Sequence, residues 1–277
     1  MVIFALQCLT LALLILVTWL LMRRSAGRFE ASQRRAHRAV ALATAGALVG
    51  APFWWFAIPN SFAWTLPPLA FRFLGAAALA FAATGLTVLW RPSPARLRLY
   101  LGMVALYLAA VVGAVLVLHR DRLDWSTPIA WAFLATAGGL TLAATLAMLR
   151  APDLRRGRAP GAAERAVWSG FALLFAVWAL ALYAWPAGPW PALWLWAQDP
   201  LSARLIAVMP ATLALMGTMA RNRNELGRPA AIGYATYGFW VAVACLWHAA
   251  AGRPLPWLYL SALGLASAWG CWRALRA

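Results

Sequence analysis

Apolar stretches, each about as long as the hydrocarbon core of a membrane is thick, follow one another along the whole chain. They lie near residues 2–22, 38–58, 68–89, 99–118, 127–149, 166–184, 200–220, 230–249 and 256–272. A spanning α-helix needs about 20 predominantly apolar residues, and each stretch is close to that length. Charged residues make up only 11% of the chain, against about 25% in soluble domains. We therefore expect an all-α polytopic membrane protein with nine transmembrane helices.

The arginines are divided unevenly between the connections that join these stretches. The chain has 24 basic residues, all of them arginine, and a formal net charge of +17. Nineteen of the 24 lie in or beside the connections after the first, third, fifth and seventh stretches, or after the ninth. Cytoplasmic loops carry such an excess, so we expect a bacterial cytoplasmic (inner) membrane protein with its N-terminus outside and its C-terminus in the cytoplasm. Because the charge follows membrane topology, no nucleic acid partner is expected.

A nine-residue pattern occurs twice, as WTLPPLAFR from Trp64 to Arg72 and as WAQDPLSAR from Trp196 to Arg204. The copies are 132 residues apart, and the same offset holds for other distinctive residues over more than sixty positions. These further pairs are Pro59 and Pro191, Gly85 and Gly217, Arg91 and Arg223, Arg96 and Arg228, and Trp125 and Trp257. Such a shared register indicates a duplicated unit.

The duplication divides the chain into one leading helix and two four-helix repeats. The expected boundaries are 1–34 for the leading transmembrane helix and its basic cytoplasmic loop, 35–150 for repeat 1, 151–164 for a cytoplasmic linker and 165–277 for repeat 2. The linker is rich in Pro, Gly and Arg, as a joint between units should be. An even number of spans in each repeat makes the copies parallel, related by a pseudo-two-fold axis along the membrane normal.

Arg72 and Arg204 are the two arginines that fall inside predicted helices, about one turn after the outer start of each. A cation there faces the positive end of the helix dipole, and its burial in lipid costs roughly 2–3 kcal/mol. Three kinds of partner could offset this cost. They are water or headgroups reached by the long side chain, loop carbonyls and acids, or an anionic ligand bound by the planar guanidinium. Asp199 is a candidate partner for Arg204 and a candidate N-cap of its helix, while Pro67 takes the corresponding place in repeat 1.

Tryptophan is concentrated on the predicted outer side. Ten of the 18 lie near outer helix ends or in outer connections: Trp54, Trp55, Trp64, Trp125, Trp185, Trp190, Trp194, Trp196, Trp247 and Trp257. Indole rings favour the headgroup level of a bilayer, so one interpretation is an interfacial belt. The other is an outward-facing cavity for a flat or amphipathic ligand. The candidate ligand-binding residues are then Arg72, Arg204, Trp64, Trp196 and Asp199.

The residue types on which membrane pumps and enzymes depend are sparse. None of the seven acidic residues falls in the middle of a predicted span, so a carboxylate proton relay is not expected. Cys8, Cys245 and Cys271 have no CxxC spacing and are expected to be small core residues. We predict no cofactor and no metal site, with a haem at His119 or His248 as the remaining option. Catalysis is disfavoured rather than excluded.

Together these patterns favour a non-enzymatic protein that binds or translocates an anionic or amphipathic small molecule or lipid. The site would be an outer-side cavity between the two repeats. The alternative is a structural or accessory subunit of a larger membrane complex, respiratory or photosynthetic. In that case the arginines would tie loops together and the tryptophan rim would contact partner subunits. The lipid bilayer is an expected partner in both cases.

Overall fold

A computed structural model describes residues 2–29, 33–58, 61, 63–64, 66–149, 158–196 and 198–276, with side chains from Leu9 onward. No strand occurs among these residues, which form helices joined by turns. The α-helices are α1 Val2–Ser25, α2 Arg34–Trp55, α3 Pro68–Trp90, α4 Pro94–Gly113, α5 Pro128–Leu149, α6 Ala162–Ala184, α7 Pro200–Ala220, α8 Gly227–Ala250 and α9 Trp257–Leu275. The Cys8 side chain, Pro59 and residues 150–157, which include half of the predicted linker, lie outside the described part.

Seven helices in the described part are long and apolar enough to cross a membrane, namely α1 and α3 to α8. This result agrees with the prediction of an all-α transmembrane protein. The exceptions are α2 and α9. The first turns of α2 contain Arg34, Arg35 and Arg38, and α9 contains three tryptophans together with Arg273, so both are less hydropathic than their neighbours. A nine-span count therefore stays a prediction.

Local sequence signals explain where the central helices begin. Pro68 and Pro200 occupy the first positions of α3 and α7, where a missing N–H removes no intrahelical bond. Ser93 caps α4, because its Oγ accepts a hydrogen bond from the Arg96 amide at 3.3 Å. Asp199 occupies the N-cap position of α7, as expected, but its side chain makes no capping bond to the backbone. Instead it accepts the hydroxyl of Ser202, one turn into the helix.

Two of the helices that begin at a proline, α3 and α7, form the centre of the bundle. Phe73 of α3 and Met209 of α7 are each 1% exposed. α3 packs against α2 and α8, whereas α7 packs against α6 and α4. α5 lies on α4, and α9 lies on α8. The apolar surfaces of α1 and α5 face outward, which is the arrangement expected where lipid rather than water surrounds the bundle.

The connections meet at two opposite ends of the bundle, which we name by composition. The arginine-rich end consists of the described residues of 26–33, 91–93, 158–161 and 221–226 and the last turn of α9. The tryptophan-rich end consists of the described residues of 56–67, 119–127, 185–199 and 251–256, with the adjoining helix termini. Hydrogen bonds join connections within each end. The Asn224 amide donates to the Arg158 carbonyl at 2.8 Å at the arginine-rich end, and the Tyr259 hydroxyl donates to the Leu193 carbonyl at 2.7 Å at the other.

Candidate anion site at the tryptophan-rich end

Arg72 lies about one turn into α3, and its side chain is partly buried. Its guanidinium carbon lies 4.5 Å from the centroid of the Trp247 ring in α8. A cation over an indole face is attracted by the ring quadrupole, an interaction of roughly 0.5–2 kcal/mol. The Nε atom is buried and has no hydrogen-bond partner among the described residues. Arg72 is therefore held by an aromatic face while part of its hydrogen-bonding capacity is unused.

The charged group among the described residues that acts on Arg72 is a second cation, Arg253. His248, in the last turn of α8, is near both arginines. No carboxylate in the described part of the chain acts on Arg72. The described acids are engaged elsewhere: Asp121 and Asp199 near His119, Asp124 with Ser126, and Glu164 and Glu225 at the arginine-rich end. A local excess of positive charge of this kind is complementary to an anion.

Arg204, the counterpart of Arg72 in the repeat register, has protein partners. Its Nη1 lies 2.6 Å from Nε2 of His119, and its Nε donates to the Tyr183 carbonyl at 3.1 Å. The Tyr183 hydroxyl in turn donates to the Ala110 carbonyl of α4 at 3.1 Å. His119 follows a π-helical turn, Ala114–Leu118, that extends α4 and is its terminal turn. Arg204 therefore ties α7 to the end of α6 and to His119. This is the loop tie that the sequence left as one alternative for both arginines.

The contact with Arg204 fixes the state of His119. Because a guanidinium can only donate, Nε2 must accept, and the proton of the neutral ring is then on Nδ1. Desolvation is the largest effect on this imidazole, and together with the charge of Arg204 it lowers the pKa of His119 below its usual value of 6.5. The ring is therefore neutral at pH 7 in the folded protein.

Asp199 does not accept a hydrogen bond from Arg204 in the structure. One carboxylate oxygen accepts the Ser202 hydroxyl, and the other lies 4.0 Å from Nη2 of Arg122. Arg122 belongs to the connection between α4 and α5, so Asp199 links that connection to the start of α7. The sequence suggested Asp199 as the partner that offsets the burial of Arg204. In the structure, His119 and the Tyr183 carbonyl are the groups that bind Arg204.

Trp64 and Trp196 are both buried, at 9% and 5% exposure. The Trp64 ring packs edge-on against Phe133 of α5, with centroids 5.2 Å apart. Trp196 packs against Phe73 of α3 at 5.5 Å and against Tyr259 of α9 at 6.0 Å. The ring that covers Arg72 is that of Trp247, which the sequence identified only as one member of the rim. Its pairing with Arg72 is not visible in sequence because the two residues are far apart along the chain.

A cavity of about 630 Å³ opens at the tryptophan-rich end beside the terminal turn of α4. Its lining includes Leu118, Asp121 and Trp125 but none of the five predicted ligand-binding residues. A haem bound through Nε2 of His119 would have to displace Arg204, because that nitrogen is already in contact with the Arg204 guanidinium. Within the described residues, no group of three or more His, Cys, Asp and Glu side chains is placed to hold a metal ion.

Comparison of the chain with protein-family models, with curated proteins and with solved structures finds no match. Function must therefore be argued from the site itself rather than from a likeness of fold. Among the three charged residues of the predicted site, Arg72 is the one with a buried side-chain nitrogen that lacks a hydrogen-bond partner among the described residues.

Proposed function

We propose that this is an integral membrane protein that binds or translocates an anionic, amphipathic small molecule or lipid at the tryptophan-rich end. Arg72 holds the anionic group, assisted by the charge of Arg253. Trp247 supports the Arg72 guanidinium and offers apolar surface to the rest of the ligand. No catalytic step is part of this proposal.

The observation that carries the proposal is the buried Nε of Arg72, which lacks a hydrogen-bond partner among the described residues. A buried cation costs roughly 2–3 kcal/mol at the centre of a bilayer, and the ring face of Trp247 offsets only part of such a cost. A carboxylate or phosphate supplies both the missing acceptor and the missing negative charge. Arginine binds these groups through two parallel N–H donors.

The remaining predicted residues have supporting roles in this proposal. The hydrogen bond between Arg204 and His119 fixes the start of α7 against the end of α4. Asp199 links the start of α7 to Arg122 in the connection between α4 and α5. Trp196 packs on Phe73, the residue that follows Arg72 in α3, and so stabilises the helix from which Arg72 projects. Trp64 packs on α5 at the outer rim of the same end.

We further propose that residues 35–150 and 165–277 are the two parallel repeats predicted from the sequence. Similar contacts at two glycines of the repeat register support this, although the tyrosines that they meet are two residues out of that register. An added Cβ at Gly85 of α3 would lie 2.9 Å from the hydroxyl oxygen of Tyr100, in α4, and one at Gly217 of α7 would lie 2.9 Å from that of Tyr234, in α8. The helices themselves pair crosswise, α3 with α8 and α7 with α4, as a two-fold relation between the halves requires.

A contact at the arginine-rich end gives independent support for the axis. The Ser93 hydroxyl donates to the Glu225 carboxylate at 3.1 Å across a sequence separation of 132 residues, which equals the repeat offset. A residue can touch its own equivalent only where the axis that relates the repeats passes between them. With nine spans and the arginine-rich end in the cytoplasm, the anion site opens on the outer side of a bacterial cytoplasmic membrane.

Replacement of Arg72 tests the proposal, with Arg204 as the matched control. Wild-type protein, Arg72→Gln and Arg204→Gln are purified under identical conditions, and co-purified lipids and anions are identified by mass spectrometry. Each protein is then titrated with oleate and, separately, with oleyl alcohol, which has the same chain without the anion. Binding is measured by the ligand-induced change in thermal unfolding temperature.

Arg72→Gln should bind oleate about tenfold more weakly, because it loses a charge-assisted hydrogen bond. Arg204→Gln should unfold at lower temperature yet keep the oleate-induced shift, since its partners are protein groups. If Arg72→Gln retains both the co-purified species and the wild-type response to oleate, the assignment of the ligand site to Arg72 is wrong.

The exposed tryptophans favour the second candidate function, an accessory subunit of a larger membrane complex. Trp185, Trp190 and Trp257 are each more than half exposed at one end of the bundle, and aromatic residues are enriched at protein interfaces. Native mass analysis of gently solubilised membranes distinguishes the two. A stable hetero-complex that is lost in Trp190→Ser/Trp257→Ser supports the subunit role, and a monomer with a bound anion supports the ligand site.

A further inference from the structure

A groove at the arginine-rich end combines cationic and apolar walls, and it is separate from the candidate anion site. It encloses about 290 Å³ between the end of α3 and the beginnings of α4 and α8. Its lining includes Leu86, Trp90, Arg91, Arg96, Arg228 and Ile232. Three arginines therefore converge on one groove whose other surfaces are hydrocarbon and indole, apart from Thr87, whose hydroxyl donates to the Thr84 carbonyl of its own helix.

The arginines of this groove are only partly engaged by the protein. Arg96 donates from Nε to the Glu225 carbonyl at 3.3 Å and from Nη1 to the Arg91 carbonyl at 2.9 Å. Both acceptors are neutral backbone oxygens, so the charge of Arg96 is not cancelled by them. No hydrogen bond or ion pair joins the side chains of Arg91 and Arg228 to another residue in the described ranges.

The nearest carboxylate is oriented toward other partners. One oxygen of Glu225 accepts the Ser93 hydroxyl, and the other lies 3.6 Å from Nη1 of Arg223. Glu225 acts electrostatically on Arg96, but so do Arg91 and Arg228. Because Glu225 also pairs with Arg223, the three arginines of the groove keep a net positive charge.

The apolar wall continues from these charges along the surface of the bundle. Trp90 is 65% exposed and Leu86 is 40% exposed, and both lie on the last turns of α3. The guanidinium of Arg28 stacks over the Trp90 ring at 4.4 Å, which adds a fourth cation at the rim. The groove is positively charged at the helix ends and apolar further along the helices. A phospholipid has the complementary arrangement, with a charged headgroup at the surface and an acyl chain below it.

We propose that this groove binds an anionic phospholipid of the adjoining leaflet. Its phosphate lies among Arg91, Arg96 and Arg228, and its acyl chain follows Leu86, Trp90 and Ile232. The proposal is independent of the ligand at Arg72, because the two sites lie at opposite ends of the bundle and share no residue.

The test uses delipidated full-length protein and three probes. Phosphatidylglycerol carries the anionic headgroup, phosphatidylcholine of the same chains has no net charge, and inorganic phosphate has no chains. Bound lipid is counted by native mass spectrometry for wild type, Arg91→Gln/Arg228→Gln and a control, Arg24→Gln/Arg165→Gln. The control removes two exposed charges from the same end, outside the groove.

Wild type and control should bind phosphatidylglycerol at least about tenfold more tightly than phosphatidylcholine, and the groove variant should lose that preference. An equal preference in the groove variant and the control would overturn the proposal. So would phosphate that displaces phosphatidylglycerol at equal concentration, because the acyl wall would then contribute nothing.

If the double arginine variant does not fold, Leu86→Glu answers the same question. It leaves every arginine in place and puts a carboxylate at an exposed position in the apolar wall. Phosphatidylglycerol binding should fall about tenfold relative to wild type. Unchanged binding by folded Leu86→Glu would exclude this groove as the lipid site.

Discussion

Arg72 and Arg204 occupy equivalent places in the repeat register and have different environments. Each points to the end of a helix from the other half of the chain, Arg72 to α8 and Arg204 to α4. His119, a neutral hydrogen-bond acceptor, lies at the end of α4. Trp247 lies at the end of α8 and offers a ring face but no hydrogen-bond acceptor. Arg204 is therefore satisfied by two protein acceptors, His119 at Nη1 and the Tyr183 carbonyl at Nε, whereas Nε of Arg72 has no acceptor among the described residues.

The pair formed by His119 and Arg204 should make stability depend on pH. Because the pKa of His119 is lowered in the folded protein, the unfolded chain binds this proton more readily. Stability should therefore be full above about pH 6.5, the unperturbed value, and should fall as the pH drops through the lowered folded pKa. Protonation would place two cations in contact, with Asp121 and Asp199 compensating only in part.

Thermal unfolding of wild type and His119→Gln between pH 8 and pH 5 measures this effect. The glutamine carbonyl can accept from Arg204 at every pH, so the variant should show a smaller loss of unfolding temperature on acidification. His37 and His248 titrate in both proteins and cancel in the comparison. Parallel pH profiles for the two proteins would contradict the assignment of a neutral His119.

At the scale of the elements, glycines set how closely the central helices approach their neighbours. An added Cβ at Gly85 would collide with Thr44 of α2 as well as with Tyr100, and one at Gly217 would lie 3.1 Å from the Trp168 carbonyl of α6. Small residues at such contacts allow backbones to pack closely in a membrane. The two central helices therefore depend on glycine at equivalent positions.

Gly85→Ala and Gly217→Ala should each destabilise the protein by about 1–3 kcal/mol, the usual cost of overpacking. Gly138→Ala is the control, because no atom lies within 4 Å of a Cβ built at Gly138 in α5. That change should be neutral or stabilising by up to about 1 kcal/mol. Equilibrium unfolding in mixed micelles measures all three, and a Gly85→Ala protein as stable as Gly138→Ala would show that the contact is loose.

The elements themselves were accessible from sequence, whereas their pairings were not. Apolar length and the prolines at positions 68 and 200 located the helices to within about a turn and a half. The bond between His119 and Arg204 joins residues 85 apart, and the repeat register gave no reason to pair them. In the sequence, Arg91, Arg96 and Arg228 indicated only the orientation and the repeat offset, and their convergence on one groove depends on the packing of α3 against α8.

At the scale of the whole molecule, the orientation in the membrane can be tested with single cysteines. Ser126, at the tryptophan-rich end, and Asn222, at the arginine-rich end, are both exposed. In a background without the native cysteines, Ser126→Cys should react with a membrane-impermeant maleimide on intact spheroplasts. Asn222→Cys should react only after permeabilisation, because cytoplasmic connections carry the arginine excess. The reverse labelling would invert the proposed topology.

The contact between Ser93 and Glu225 also bears on the history of the proposed duplication. In an ancestral homodimer of one four-helix unit, the residue at this position would have faced its own copy. Two glutamates there would repel each other, and two serines would leave the adjacent arginines without a carboxylate. A single acid can occupy one side only when the two copies differ in sequence, as two halves of one chain can. Duplication would thus have released this position from self-pairing, with Arg223 neutralised in one half and Arg91 without an ion pair among the described residues in the other.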